Sequence, residues 1–290
     1  MNVGVIGAGR LGSAFAMALS KAGFCIGGIY SKSEESSTLL CNKLGIEREN
    51  TIEAAVQNSD IILLAVPDNR IGDIASEIAS CIDKQYLNNK IFLHLSGAMT
   101  SEVLQSLEDV GAFTGSFHPI QTFADRDNGW QKLYNCYFGF EGCGEAQKYV
   151  ETIVDKLQGK LVFIKKDQKN LYHAAACIIS NYTVTLFHIV YQLLIKAGID
   201  DKLATDAFLP LLKNTTDNIG TLGHINALTG PISRGDHSVV SKHIDALSKE
   251  IPEYEAIYKM LGRHTVDLAA LRGSLSEEQE KRLIELLENQ

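Results

Sequence analysis

The opening residues constrain the fold most. Val3-Gly4-Val5-Ile6 is a short apolar run, and it leads straight into Gly7-Ala8-Gly9-Arg10-Leu11-Gly12. The spacing G-x-G-x-x-G between a strand and a helix suits the tight turn of a dinucleotide-binding unit. Gly7 permits the turn, Gly9 lets a pyrophosphate approach the backbone, and Gly12 lets the helix pack close to the strand. Free N–H groups and the positive dipole end at the start of the helix favour phosphate. A purely structural glycine turn is the plain alternative.

The pattern beyond this motif extends the same architecture. Further apolar runs lie at Cys25–Tyr30, Ile61–Val66, Ile91–Leu95, Phe113–Phe117, Tyr137–Phe140 and Leu161–Ile164. Helical periodicity fills Gly12–Ala22, Ser33–Leu44, Ile71–Cys81, Ser101–Val110 and Glu145–Leu157. Such alternation predicts a doubly wound, mostly parallel α/β sheet over residues 1–165. The second half, residues 166–290, carries no strand pattern. Asp167-Gln168 is expected to cap a long helix reaching about Ala197, with Gly198 as its stop. Helical patterns follow at Asp201–Ile219, His237–Lys249, Glu253–Leu271 and Ser276–Glu288. The expected fold is thus a Rossmann-like α/β domain followed by an all-α domain.

Composition narrows the function classes. Of 290 residues, 45% are hydrophobic, and the formal charge is −8, which argues against a nucleic-acid surface or an anionic membrane. The six cysteines form no Cys-x-x-Cys pair, so no zinc site or disulfide framework is expected and the compartment is read as a reducing cytoplasm. The N-terminal run lacks the basic region of a signal peptide. Ala174–Ile195 is apolar but interrupted by Ser180, Asn181, Thr183, Thr185, His188 and Gln192, and is read as a buried helix of a soluble protein.

Several polar clusters interrupt this apolar frame. At the end of the second strand stands Tyr30-Ser31-Lys32-Ser33. Ser31, Lys32 and Ser33 suit the 2′-phosphate of NADP, because the carboxylate that would accept from a ribose hydroxyl is missing there. Glu34 and Glu35 keep the solvated-turn reading open. Ala65-Val66-Pro67 ends the third run and Ser96-Gly97 the fourth; both are expected beside the ribose and nicotinamide. His118 follows the fifth run. Lys169, His173, Cys177 and Asn181 recur at steps of four on the long helix and share one face. Hydride transfer to a carbonyl needs a proton donor at its oxygen, and His173 or Lys169 can supply it, with Asn181 orienting the substrate or the nicotinamide amide. His173 and Asn181 stand about 12 Å apart along the axis, so they cannot both grip one small carbonyl. Arg234 can hold a carboxylate, while Asp236 either neutralises Arg234 or caps the next helix.

Gly7–Gly12, Ala65–Asp68, His94–Gly97, His118–Phe123, Tyr172–Asn181 and Thr229–Asp236 together resemble the NADP oxidoreductases that join an N-terminal Rossmann domain to a C-terminal helical domain of unassigned function. More broadly the chain is similar to ketopantoate reductases, pyrroline-carboxylate reductases and β-hydroxyacid dehydrogenases. The resemblance implies NADP(H) as cofactor, a helical domain like the C-terminal domain of 6-phosphogluconate dehydrogenase, and dimerisation through it. Ketopantoate reductases and β-hydroxyacid dehydrogenases place an asparagine four residues after their lysine. Here His173 follows Lys169 by four and the asparagine is Asn181, which ranks His173 ahead of Lys169.

The leading expectation is NADPH-dependent reduction of a small 2-keto acid, with ketopantoate foremost. His173 would be the proton donor, with His118, Arg234 and Asp236 at the substrate. An imine reductase resembling pyrroline-carboxylate reductase is the alternative enzyme. A non-catalytic NADP-binding regulator is the alternative of another class. No metal, nucleic acid or membrane partner is expected.

Overall fold

In the computed structural model, residues 1–288 are described, and they divide into two compact units, Met1–Asn181 and a second beginning at Tyr182. The first unit holds β1 (Asn2–Ile6), α1 (Arg10–Lys21), β2 (Cys25–Tyr30), α2 (Glu34–Leu44), α3 (Ile52–Gln57), β3 (Ile61–Leu64), α4 (Asp68–Cys81), α5 (Lys84–Leu87), β4 (Ile91–His94), α6 (Gln105–Glu108), β5 (Phe113–Pro119), β6 (Tyr137–Gly142), α7 (Gly144–Lys156), β7 (Lys160–Phe163) and α8 (Lys169–Cys177). The seven strands form one sheet in the order β2-β1-β3-β4-β5-β6-β7. All neighbours run parallel except β5 and β6, which pair antiparallel.

Strand alternation explains why both faces of this sheet are covered. Ile61 and Leu63 pack into one cluster with Val3, Val5, Phe15 and Phe138, while Ile62 and Leu64 join a second with Ile71, Ala75, Phe92 and Leu107. Successive side chains of a strand point to opposite faces, so a run that is apolar throughout requires helices on both. Phe15, Phe117 and Phe138 anchor the first cluster, with ring centroids 4.9–6.4 Å apart. Truncating any one of them to alanine removes about 3–5 kcal/mol of stability.

The first unit extends past the boundary expected at 165, because Lys169, Tyr172 and His173 reach from α8 into the sheet. The expected side-chain cap at Asp167-Gln168 is absent. Lys166–Gln168 is a 3-10 turn instead, and the Gln168 N–H donates to the Lys165 carbonyl at 2.9 Å. After Cys177 the helix widens into a π turn, Ile178–Tyr182.

The second unit is helical: α9 (Thr183–Lys196), α10 (Asp201–Asn226), α11 (His237–Glu250), α12 (Glu255–Leu271) and α13 (Glu277–Glu288). Ile232, Val240, Ile244, Val266, Leu283 and Leu287 make its core. The reading of Ala174–Ile195 as a buried helix is corrected here. No residue of α9 is buried, and Ile179 and Val184 are 73% and 72% exposed. The continuous helix Lys166–Lys196 is long and apolar enough to cross a membrane by length and composition. An apolar helix demands cover, but its composition does not say what supplies it.

Candidate active site

β1, β3, β4 and β5 are parallel neighbours, so their carboxyl ends share one edge of the sheet. Ligands of open α/β sheets bind along that edge. It carries in turn Gly7, Ala65–Pro67, Ser96–Gly97 and His118. Three strand spacings make this row about 14 Å long.

The glycine turn has the shape its spacing predicts. Gly7 has φ +106°, and a β-carbon there would meet the Ala65 carbonyl oxygen at 2.3 Å. One on Gly12 would meet the Gly7 carbonyl oxygen at 1.9 Å, so α1 packs as closely as glycine allows. Gly9 differs, since nothing lies within 4 Å of its missing β-carbon. Gly9 is the N-cap of α1 with no side-chain cap, so no N-cap side chain takes up the first N–H groups of α1. A bare cradle at a helix start fits a pyrophosphate. Ala8, Arg10 and Leu11 complete the turn. Ser33 caps α2, accepting from the Ser36 N–H at 3.3 Å, with Ser31 and Lys32 on the segment before it.

A cleft with about 240 Å³ of free volume lies beside the β5 end of this edge, walled by His118, Gln121 and Thr122 from β5 and its following loop, and by His173, Cys177 and Asn181 from the helix. Gly97 faces both imidazoles: a β-carbon there would sit 2.5 Å from His173 Nδ1 and 3.0 Å from His118 Nε2. The small Ser-Gly turn therefore makes room for two histidines. His118 Nδ1 pairs with the Tyr172 hydroxyl at 2.8 Å. Burial pushes Tyr172 up to about 12, and burial with His173 and Lys169 nearby pushes His118 down to about 4. At neutral pH Tyr172 is therefore the donor, which leaves the His118 proton on Nε2 beside Gly97. His173 Nε2 lies 3.6 Å from Cys177 Sγ, while its Nδ1 is buried with no hydrogen-bond partner.

Lys169 is only 1% exposed and does not line the cleft. Its Nζ donates to Ser116 Oγ, which donates to the Ser96 carbonyl at 3.1 Å. Burial lowers its pKa to about 8 against the pull of Glu141 and Asp68. Ser96 Oγ donates to Asp68 Oδ2 at 2.7 Å and accepts the N–H groups of Ala98 and Met99. Behind it, His94 is held by the Thr100 carbonyl and by the Ser96 N–H; burial first, then Lys169, brings it down to about 3. Lys169 thus supports the Ser96–Gly97 turn.

The first unit brings His118, His173, Cys177 and Asn181 around one cleft and sets Lys169 behind it. Arg234 and Asp236 belong to the second unit. There Asp236 caps α11, accepting from the Val239 N–H at 3.2 Å, and the Arg234 guanidinium forms no hydrogen bond or salt bridge among the described residues. Sequence reasoning missed Tyr172 and Arg126. Tyr172 precedes His173 by one position, off the row of four-residue steps. Arg126 lies in a loop without periodicity, and its Nη2 donates to the Ala8 carbonyl at 2.9 Å.

Comparison with known proteins agrees with this architecture. Residues 1–119 match the Rossmann-like domain, and residues 136–265 match a domain of unknown function, DUF2520. A solved protein of Thermotoga maritima is similar at TM-score 0.73 and 26% identity, over 94% of this chain and 100% of that one. A Bacteroides fragilis protein inferred to be an NADP oxidoreductase gives TM-score 0.71 and 24% identity, over 91% and 96%. An imine reductase from Myxococcus stipitatus, solved with NAD+, gives 0.62 and 22%, over 98% of each chain. No curated protein matches the chain.

Proposed function

We propose that this chain, a Rossmann-like domain joined to a DUF2520 domain, is an NADP(H)-dependent oxidoreductase that reduces a carbonyl or imine carbon of a small molecule. The carrying observation is the row at the sheet edge: an open glycine cradle at one end and two imidazoles against a bare Gly97 at the other. Gly7, Gly9 and Gly12 would hold the pyrophosphate, Ser31, Lys32 and Ser33 the adenosine end, and Ala65–Pro67 with Ser96–Gly97 the nicotinamide end. The bound cofactor supplies hydride.

The chain's own groups do the rest. Neutral His118, its tautomer fixed by Tyr172, presents Nε2–H to the substrate oxygen or nitrogen. A preplaced donor of this kind stabilises the charge that develops as hydride arrives. His173 is the candidate proton donor, and Gln121, Thr122 and Asn181 orient the substrate. Ketopantoate remains the first keto acid to try. The imine reading has its own support. The cleft walls of the first unit carry no lysine or arginine, which suits a C=N group that arrives protonated. We also propose a homodimer, since Leu203, Leu209 and Leu211 of α10 are each more than half exposed, and a cytoplasmic site, in keeping with six free cysteines.

The test is NADPH oxidation by purified protein with ketopantoate, other 2-keto acids and cyclic imines, each repeated with NADH. Turnover on one of these substrates, lost in His118→Ala, supports the reading. Tight NADPH binding without turnover on any of them would replace it with the regulator.

A further inference from the structure

A cation stands where the first unit otherwise gathers positive dipole ends. Arg126 lies in the loop between β5 and the 3-10 turn Gly129–Leu133. That loop is braced by Asp125, whose Oδ1 accepts the N–H groups of Asp127 at 2.7 Å and Asn128 at 3.2 Å. From this brace the half-buried Arg126 side chain reaches two other turns. Its Nη2 donates to the Ala8 carbonyl at 2.9 Å, inside the glycine turn, and to the Ser36 carbonyl at 3.4 Å, in the first turn of α2. A guanidinium has five N–H donors, and these bonds occupy one nitrogen. Nε and Nη1 form no hydrogen bond or salt bridge among the described residues.

Electrostatics makes this position informative. Each helix N-terminus carries about half a positive charge. A cation held between the starts of α1 and α2 is repelled by both, unless an anion joins it. The nearby carboxylates are largely committed elsewhere: Asp127 pairs with Lys43 and Glu34 with Arg48. Glu35, exposed in the first turn of α2, remains. The tethers to Ala8 and Ser36 fix the guanidinium between the turn that fits a pyrophosphate and the first turn of α2, the helix that follows Ser31-Lys32-Ser33.

We infer that Arg126 binds the 2′-phosphate of NADP(H) together with Lys32 and the Ser31 and Ser33 hydroxyls, and that it decides the choice of NADP(H) over NAD(H). This rests on the NADP(H) reading above. A planar guanidinium with free N–H donors matches a phosphate monoester, whereas the ribose hydroxyl of NAD(H) wants an acceptor. Arg126 lies about 90 residues beyond the segment where the sequence places this choice, and the fold carries it there.

The test is equilibrium binding of NADPH and NADH by nucleotide fluorescence and calorimetry, on the wild-type chain, Arg126→Ala and Arg126→Lys, with thermal melting of each. Arg126→Ala should weaken NADPH binding tenfold or more and leave NADH within about twofold. Arg126→Lys keeps the charge and should fall between. Equal weakening for both nucleotides would overturn the inference and make Arg126 a pin for the glycine turn. Unchanged NADPH binding would overturn it too. If Arg126→Ala does not fold, the ratio of NADPH to NADH affinity in Arg126→Lys decides, since a mere pin leaves that ratio unmoved. If the wild-type chain binds neither nucleotide, the cofactor reading itself fails and the inference with it.

Discussion

Gly97→Ala probes the cleft with one added methyl group. The new β-carbon would stand 2.5 Å from His173 Nδ1 and 3.0 Å from both Cε1 and Nε2 of His118. Ordinary contact begins near 3.4 Å, so the His173 ring must retreat by about 0.9 Å (3.4 less 2.5) and the His118 ring by about 0.4 Å (3.4 less 3.0). Neither ring is free to do so. His118 is tied to Tyr172 at 2.8 Å, and the His173 ring rests against Cys177. Overpacking of this kind costs about 1–3 kcal/mol. In a chain of this size that is a fall in Tm of several degrees, at about 2–4 °C per kcal/mol. Displacing reacting groups by about 1 Å costs up to about a hundredfold in rate. The assay is kcat/KM on whichever substrate turns over, with the melting temperature measured alongside. Gly144→Ala is the control, because nothing lies within 4 Å of that glycine. If Gly97→Ala is as active as Gly144→Ala, the two imidazoles do not meet the substrate where the geometry puts them.

Other perturbations separate the remaining roles. Tyr172→Phe removes the donor that fixes the His118 tautomer, and should lower kcat about tenfold or more while shifting the imidazole nitrogen resonances in NMR. Ser96→Ala takes the donor from Asp68 and the acceptor from two N–H groups, and should lower the unfolding free energy by about 1–3 kcal/mol in urea titration. Lys169→Met removes a positive neighbour of His118, so the His118 pKa should rise from its value of about 4 in an NMR titration. Stability should also fall on acidification. His118 and His94 titrate near 4 and 3 in the fold and near 6.5 when unfolded, so the unfolded chain binds more protons between those values. Their contribution is complete above about pH 6.5 and is lost as pH drops through 4 and then 3. For His118 alone it amounts to about 3 kcal/mol, read as a falling urea midpoint.

Much of this is legible in the sequence alone. All seven apolar runs are strands; β3 and β4 are buried on both faces and so are apolar throughout, whereas the edge strand β7 is apolar yet has no buried residue. The helices α3 and α5 were not foreseen, since six- and four-residue helices show too little periodicity to read. The reversal of β6 was equally hidden. An antiparallel edge in a mostly parallel sheet is set by the long connection after Pro119, which the strand residues do not encode. Within the site, glycine spacing announced the cradle, whereas Tyr172 and Arg126 act through partners 54 and 118 residues away. Asp236 allowed two readings, and its side chain settles on the cap.

The π turn at Ile178–Tyr182 gives the spacing Lys169, His173, Cys177, Asn181 a second meaning. Four residues overshoot one α-helical turn by about 40°, so three such steps drift by about 120° around the axis. In an unbroken α-helix Asn181 would be carried away from the side where His173 stands. The wider π turn takes up the excess, and Asn181 returns to the wall it shares with His173 and Cys177. Angular registry there depends on the number of residues more than on their kind. Deleting one residue between 178 and 180 would restore the α pitch and place the asparagine seven residues after His173, still within about 20° of the same side, whereas inserting one more would turn it away by about 100°.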